Sequence, residues 1–143
     1  AKDYKYEEEL LELVNKLDLS EVIVFKGWVS NIDLQSKYSE YNLHVMSSNS
    51  EGMPRVCLEA SAKGLPQLVT PVGGIPDYFT HLYDSYISDD CSISSLEYGI
   101  EWFINNNEAG NDMAKNSILS AKNSSIEEVS RKFNNILDAT KDR

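Results

Sequence analysis

Apolar residues return at helical spacing near both ends of the chain and gather into short β-branched runs between them. From Glu7 to Leu17, EEELLELVNKL puts Leu10, Leu13, Val14 and Leu17 on one stripe, with glutamates in the first turn where the helix dipole favours them. That stripe predicts an amphipathic helix. The runs VIVFKGW (Val22 to Trp28), LHVMSS (Leu43 to Ser48), QLVT (Gln67 to Thr70) and SYIS (Ser85 to Ser88) are short and apolar, as buried strands of a parallel sheet are. IDLQSKYSEY between the first two is long enough for a helical connection, and the stretch opening at Pro54 between the next two, carrying Val56, Cys57, Leu58, Ala60 and Ala62, reads as a helix. Strands alternating with helices predict an α/β fold with crossover connections.

Beyond Ser88 the pattern is helical throughout. Ser94 with Glu97, and Ser125 with Glu128, fit the S-x-x-E capping box. Each opens a periodic apolar series: Leu96, Ile100, Phe103 and Ile104 in one, Ile126, Val129, Phe133 and Ile136 in the other. Between them Glu108 to Asn123 predicts a further helix on Met113, Ile118 and Ala121. Trp102 falls at core spacing, which assigns it to packing. Neither an internal repeat nor a low-complexity segment interrupts the chain.

Composition narrows the function. The 143 residues are 41% hydrophobic, enough for one core and a single domain. Thirteen basic against 23 acidic residues give a formal charge of −10, which excludes a nucleic-acid backbone as partner, since that surface needs a cationic footprint. An anionic ligand would have to be held locally, by backbone amides and a few cations. Cys57 and Cys91 stand far apart without CxxC pairing, so no disulfide framework or zinc ribbon is expected. His44 and His81 find no third ligand at metal spacing and read as structural, so neither a metal nor a cofactor is expected. With no long apolar run and a polar start, AKDYKYEEE, the expected setting is cytoplasmic.

The chemistry concentrates in SEGMPRVCLEASAKG, Ser50 to Gly64. Glu51 precedes a Gly-Met-Pro turn and Glu59 follows it by eight residues, inside the helix. Two readings stand. Arg55, Glu59 and Lys63 fall at i, i+4, i+8, so Glu59 can be the middle of a solvated ion-pair ladder worth about 0.3–0.5 kcal/mol per pair. Alternatively, a helix starting at Pro54 just beyond a parallel strand presents unpaired amides to the crevice above the sheet, where α/β folds bind phosphorylated ligands. Glu59 then lies ~7–8 Å along the axis from Pro54, roughly the reach from a pyrophosphate to its ribose. Glu51, on the other side of the helix start, would meet whatever group the far phosphate carries. The pair suits a nucleotide bearing a polar substituent.

SEGMPRVCLEASAKGLPQLVTPVGGIPDYF closely resembles the E-x7-E region of GT-B glycosyltransferases of family 4, the glycosyl transferases group 1 domain. VIVFKGWVS is similar to that family's V-x-F-x-G-x-V strand and loop, and SYIS occupies the place of its last sheet strand. The resemblance covers most of the chain. It implies a nucleotide-sugar donor and transfer with retention, as in polysaccharide biosynthesis. It implies Glu51 at the donor sugar as the catalytic carboxylate. Gly52, Met53, Pro54, Arg55 and Val56 would lie at the sugar and pyrophosphate, Glu59 at the ribose, and Gly27, Trp28 and Val29 at the base. Gly73-Gly74 would line the donor crevice. Pro54 stands where many members carry Gly, and Ser47 replaces a frequent proline.

By the same resemblance residues 1–143 are a partial domain. The fold expected is an incomplete Rossmann-like parallel sheet with C-terminal helices, the C-terminal half of a donor-binding domain lacking its first two strands. A basic loop after the first strand and an N-terminal domain for a sugar, lipid-linked or glycan acceptor would lie outside it, the latter able to bring the protein to the inner membrane face. Alone, this piece is expected not to catalyse and to hold donor weakly. The Val22 and Leu43 strands are expected to pair directly or to pair between copies as an edge-mediated dimer. The alternative is a non-catalytic nucleotide-sugar-binding module acting with a partner chain.

Overall fold

The computed structural model describes residues 4–141. The chain separates into two compact units, divided after Leu34.

In the first unit α1, Tyr4–Lys16, carries the predicted stripe. Leu10 and Val14 are half-buried on it, while Leu13 and Leu17 are exposed. The helix stops at Asp18, whose left-handed φ of 56° lets Leu19 N–H reach the Val14 carbonyl and Asp18 N–H the Asn15 carbonyl, satisfying the last turn. The segment Val22–Trp28 then departs from the expectation of a strand. Val22 and Ile23 donate back to the Leu19 carbonyl as a turn, and the following residues run without joining any sheet. β-branched content favours a pleated backbone only where a neighbouring strand takes up its N–H and C=O groups, and no strand lies among the described residues of this unit. Ser30 starts α2, Asn31–Lys37, by accepting from Asp33 N–H at 3.1 Å.

The second unit is built on a three-stranded parallel sheet in the order β1-β2-β3: His44–Met46, Gln67–Val69 and Tyr86–Ile87. His44 pairs with Gln67 and Met46 with Val69, while Leu68 pairs with Tyr86. This is the expected α/β parallel sheet, with each strand shorter than its apolar run. A 3-10 turn, Tyr38–Glu40, leads into β1. Helix α3, Arg55–Ala62, joins β1 to β2, and a short α4, Ile75–Tyr78, lies between β2 and β3. The sequence pattern did not predict α4, although Pro76 in its first turn is a start signal.

Along β2, side chains alternate. Val69 faces Met46, Cys57, Ile75 and Phe79, the buried cluster between the sheet, α3 and α4. Leu68 points to the other face, against α5, Ile93–Asn105, at Gly99. Tyr86, Trp102 and Phe103 pack together on that side, with centroids 5.0–6.2 Å apart, so Trp102 does serve packing. Two helices follow, α6 (Asn107–Asn123) and α7 (Ile126–Lys141). Helix α6 packs on α3, where Met113 and Ser117 are buried.

The caps settle differently from the S-x-x-E reading in one case. Helix α5 is capped by Ser92, whose hydroxyl accepts from Ser95 N–H, rather than by Ser94. Asp90 reinforces the turn by accepting from Ser92 N–H and from the Ser95 hydroxyl; the Ser92 side chain first, then the Ser95 hydroxyl and the Ser92 N–H, hold its carboxyl at about 2. At α7 the Ser125 hydroxyl accepts from Glu128 N–H as expected, but the Glu128 carboxylate turns forward to Arg131 instead of back to the cap.

Candidate functional site

At the C-terminal end of β1 the chain crosses the top of the sheet as a loop, residues 47–54, and turns down into α3. Pro54 is the N-cap of that helix, extended at φ −71° and ψ 106°, so Arg55 rather than Pro54 is the first helical residue. A prolyl cap offers no side-chain acceptor; Cys57 N–H donates to the Pro54 carbonyl at 3.1 Å, which leaves the Arg55 and Val56 amides as donors beside the positive end of the helix dipole. Having no N–H, Pro54 lends none to a ligand. Met53 and Val56 pack onto the buried cluster, so their side chains serve the core and only their backbone is free for ligand. Arg55 stands exposed in the first turn.

Glu51 is exposed at the loop tip, and its Oε1 accepts from the Ser48 hydroxyl at 2.7 Å. The Ser48 carbonyl in turn accepts from Thr70 Oγ1 at 2.6 Å, and Thr70 sits fully buried at the end of β2. On the far side of Glu51, Gly74 N–H donates to the Gly52 carbonyl at 2.7 Å. Gly73 makes this approach possible. Its φ is +56°, and a β-carbon there would overlap the carbonyl oxygens of Gly52 and Glu51. The Gly-Gly turn thus lies directly against the Glu51-Gly52 backbone.

Glu59 is half-buried on α3. Among the described residues no ion pair joins Arg55, Glu59 and Lys63, so the solvated ladder is not formed. Glu59 instead approaches Tyr38 without completing a hydrogen bond. The Tyr38 hydroxyl is buried and unpartnered, and its pKa is pushed up to about 12, first by burial and then by the Glu59 charge. Cys57, one turn into α3, is pushed up to about 12 by burial first and then by Glu51, so its thiol stays protonated and packs on the Met46 sulfur at 3.5 Å.

Gly27, Trp28 and Val29 belong to the first unit, where Gly27 takes a φ of +62° and Trp28 is 85% exposed. Both histidines are structural. His44 Nδ1 shares a hydrogen bond with Gln67 Oε1 at 3.1 Å, and burial lowers its pKa against that bond. His81 Nδ1 accepts from Ile87 N–H. A cavity of about 470 Å³ lies at the N-terminal end of the strands, among Tyr38, Tyr41, Leu43, Pro66 and Phe103, and neither glutamate lines it.

Two residues escaped the sequence reading. Ser48, three positions before Glu51, is a local signal that could have been found. Thr70 is 22 residues away from Ser48 and only the parallel pairing of β1 with β2 brings it there.

The sequence pattern of the glycosyl transferases group 1 family matches residues 3–120. An uncharacterized glycosyltransferase of Haemophilus influenzae is 26% identical over 132 residues, covering 92% of this chain. The chain spans 37% of that relative's length. Among solved structures, HepE from Anabaena in complex with UDP superposes with a TM-score of 0.84 at 19% identity, over 96% of this chain and 38% of that one. The same protein has been solved with UDP-glucose. The C-terminal domain of a glycosyl transferase group 1 family protein from Francisella tularensis gives 0.77 at 21% identity, over 85% of this chain and 63% of that one. These likenesses establish the fold.

Proposed function

Since the chain belongs to the glycosyl transferases group 1 family, we propose that it forms the nucleotide-sugar donor site of a retaining glycosyltransferase acting on a sugar, lipid-linked or glycan acceptor. One observation carries this: two carboxylates flank an uncapped helix start above the C-terminal end of a parallel sheet. The Arg55 and Val56 amides at the start of α3 and the Arg55 guanidinium receive the pyrophosphate, where a helix N-terminus favours negative charge. Glu59, about one and a half turns into the helix, accepts from the vicinal ribose hydroxyls. Glu51 meets the sugar. As the bond from the anomeric carbon to the phosphate oxygen breaks, electrons leave with the nucleoside diphosphate and positive charge grows on the sugar, where a nearby carboxylate stabilises it. That HepE is solved with UDP and UDP-glucose supports a donor of this class.

Glu51→Gln and Glu59→Gln separate the roles. Titrating UDP, GDP and ADP into the protein by calorimetry identifies the nucleotide, and Glu59→Gln weakens it about tenfold while Glu51→Gln leaves it within twofold, since a free nucleoside diphosphate carries no sugar. In turnover by the full-length protein that carries this chain, Glu59→Gln raises donor KM and Glu51→Gln lowers kcat, by ~10²-fold if charge stabilisation is at work. Equal loss of nucleotide binding in both variants, or wild-type behaviour of Glu59→Gln, overturns the assignment.

A further inference from the structure

The Glu51 carboxylate sits on an exposed loop, yet three separate contacts fix the loop around it. An exposed glutamate ordinarily samples many rotamers and must be ordered before it can act on a substrate. Here its Oε1 is already claimed by the Ser48 hydroxyl at 2.7 Å, within the range of an O–H donating to a carboxylate. The hydroxyl can reach Glu51 only if the Ser48 backbone from which it projects is held in place. Thr70 does this. Its Oγ1 donates to the Ser48 carbonyl at 2.6 Å, and its N–H donates to the Met46 carbonyl at 3.2 Å, tying the end of β2 to the last strand residue and to the loop beyond it. Thr70 is 0% exposed and Ser48 half-buried, so the tether is partly buried. Gly74 N–H fixes Gly52 on the other side.

We infer that Thr70 and Ser48 are positioning residues for the reaction, holding the Glu51 carboxylate pointed at the donor sugar before any ligand arrives. The inference rests on Glu51 facing the sugar. Neither residue touches the nucleotide. Their loss leaves nucleoside-diphosphate affinity alone and appears only where the sugar and its departing bond are involved. One Glu51 oxygen is engaged by Ser48 and the other stays free for a sugar hydroxyl, so the carboxylate has a set direction as well as a set charge.

The test uses Ser48→Ala, Ser48→Thr, Thr70→Val and Thr70→Ser. Side-chain scalar couplings of Glu51, measured by NMR without ligand, report whether one rotamer dominates. Wild type, Ser48→Thr and Thr70→Ser are expected to show a single rotamer, and Ser48→Ala and Thr70→Val an averaged one. In steady-state assays of the full-length protein that carries this chain, with UDP-glucose, UDP-galactose and GDP-mannose, kcat on whichever donor wild type uses falls about tenfold in Ser48→Ala and Thr70→Val, and the hydroxyl-keeping variants recover it. Affinity for the matching nucleoside diphosphate stays within twofold. Averaged Glu51 couplings in wild type overturn the inference, as does Ser48→Ala that frees the side chain while kcat stands unchanged. If Thr70→Val does not fold, Ser48→Ala decides. Glu51→Gln separates the two levels: unchanged kcat there refutes the sugar-facing role, whereas a fall there with none in Ser48→Ala refutes only the positioning.

Discussion

Gly73→Ala tests whether the turn after β2 sets the geometry of the Glu51 loop. Two contributions oppose the alanine. A β-carbon on a backbone at φ +56° costs about 1–2 kcal/mol through its approach to the following carbonyl. It would also overlap the main-chain oxygens of Gly52 and Glu51, which, unlike a side chain, cannot rotate aside. The loops must part, and the Gly74 to Gly52 hydrogen bond goes with them, a net ~0.5–1.5 kcal/mol. Together these make roughly 1.5–3.5 kcal/mol, and at about 3 °C per kcal/mol for a chain of this size the melting temperature falls by ~5–10 °C. Gly52→Ala is the control, because nothing lies within 4 Å of a β-carbon there and its φ is not in the left-handed region. Differential scanning calorimetry on wild type and both variants reads the result. A Gly73→Ala melting temperature within about 1 °C of wild type, or a larger fall for Gly52→Ala, refutes the reasoning.

Three further outcomes are expected. Tyr38→Phe removes a buried hydroxyl that has no partner, so the urea midpoint rises, by the equivalent of about 1 kcal/mol; a fall of that size would reveal a partner in solution. Burial lowers the His44 pKa below its unfolded value near 6.5, so between those two values the unfolded chain binds more protons. Stability is therefore level above about 6.5 and declines as pH drops through that window, and His44→Asn flattens the decline measured by urea melts; an identical slope in the variant rules His44 out. Gly99→Ala in α5 drives a β-carbon into Leu68 and the Tyr86 ring, an overpacking of about 1–3 kcal/mol that exceeds the helix-propensity gain of roughly 1 kcal/mol, so chemical denaturation shows net loss; a stabilised variant would show that α5 can lift from the sheet.

Local signals carried much of this protein. Periodicity marked α1 and the three C-terminal helices, short apolar runs marked β1 to β3, and the order strand, Glu51, prolyl turn, helix, Glu59 marked the site, because each depends on residues within a few turns of one another. Non-local partners decided the rest. Val22–Trp28 has strand composition yet joins no sheet, since a strand is a property of a pair and its ladder partner cannot be read from its own residues. Arg55, Glu59 and Lys63 have ladder spacing yet form no ion pairs among the described residues, because a pair at the surface gains too little to hold two long side chains together. Ser92 rather than Ser94 caps α5 because Asp90 braces the earlier position. Thr70 reaches the Ser48 carbonyl, and Gly73 lies under Glu51, only because parallel pairing sets the ends of β1 and β2 side by side; the type of residue is written in the sequence, but its neighbour across the sheet is chosen by the register.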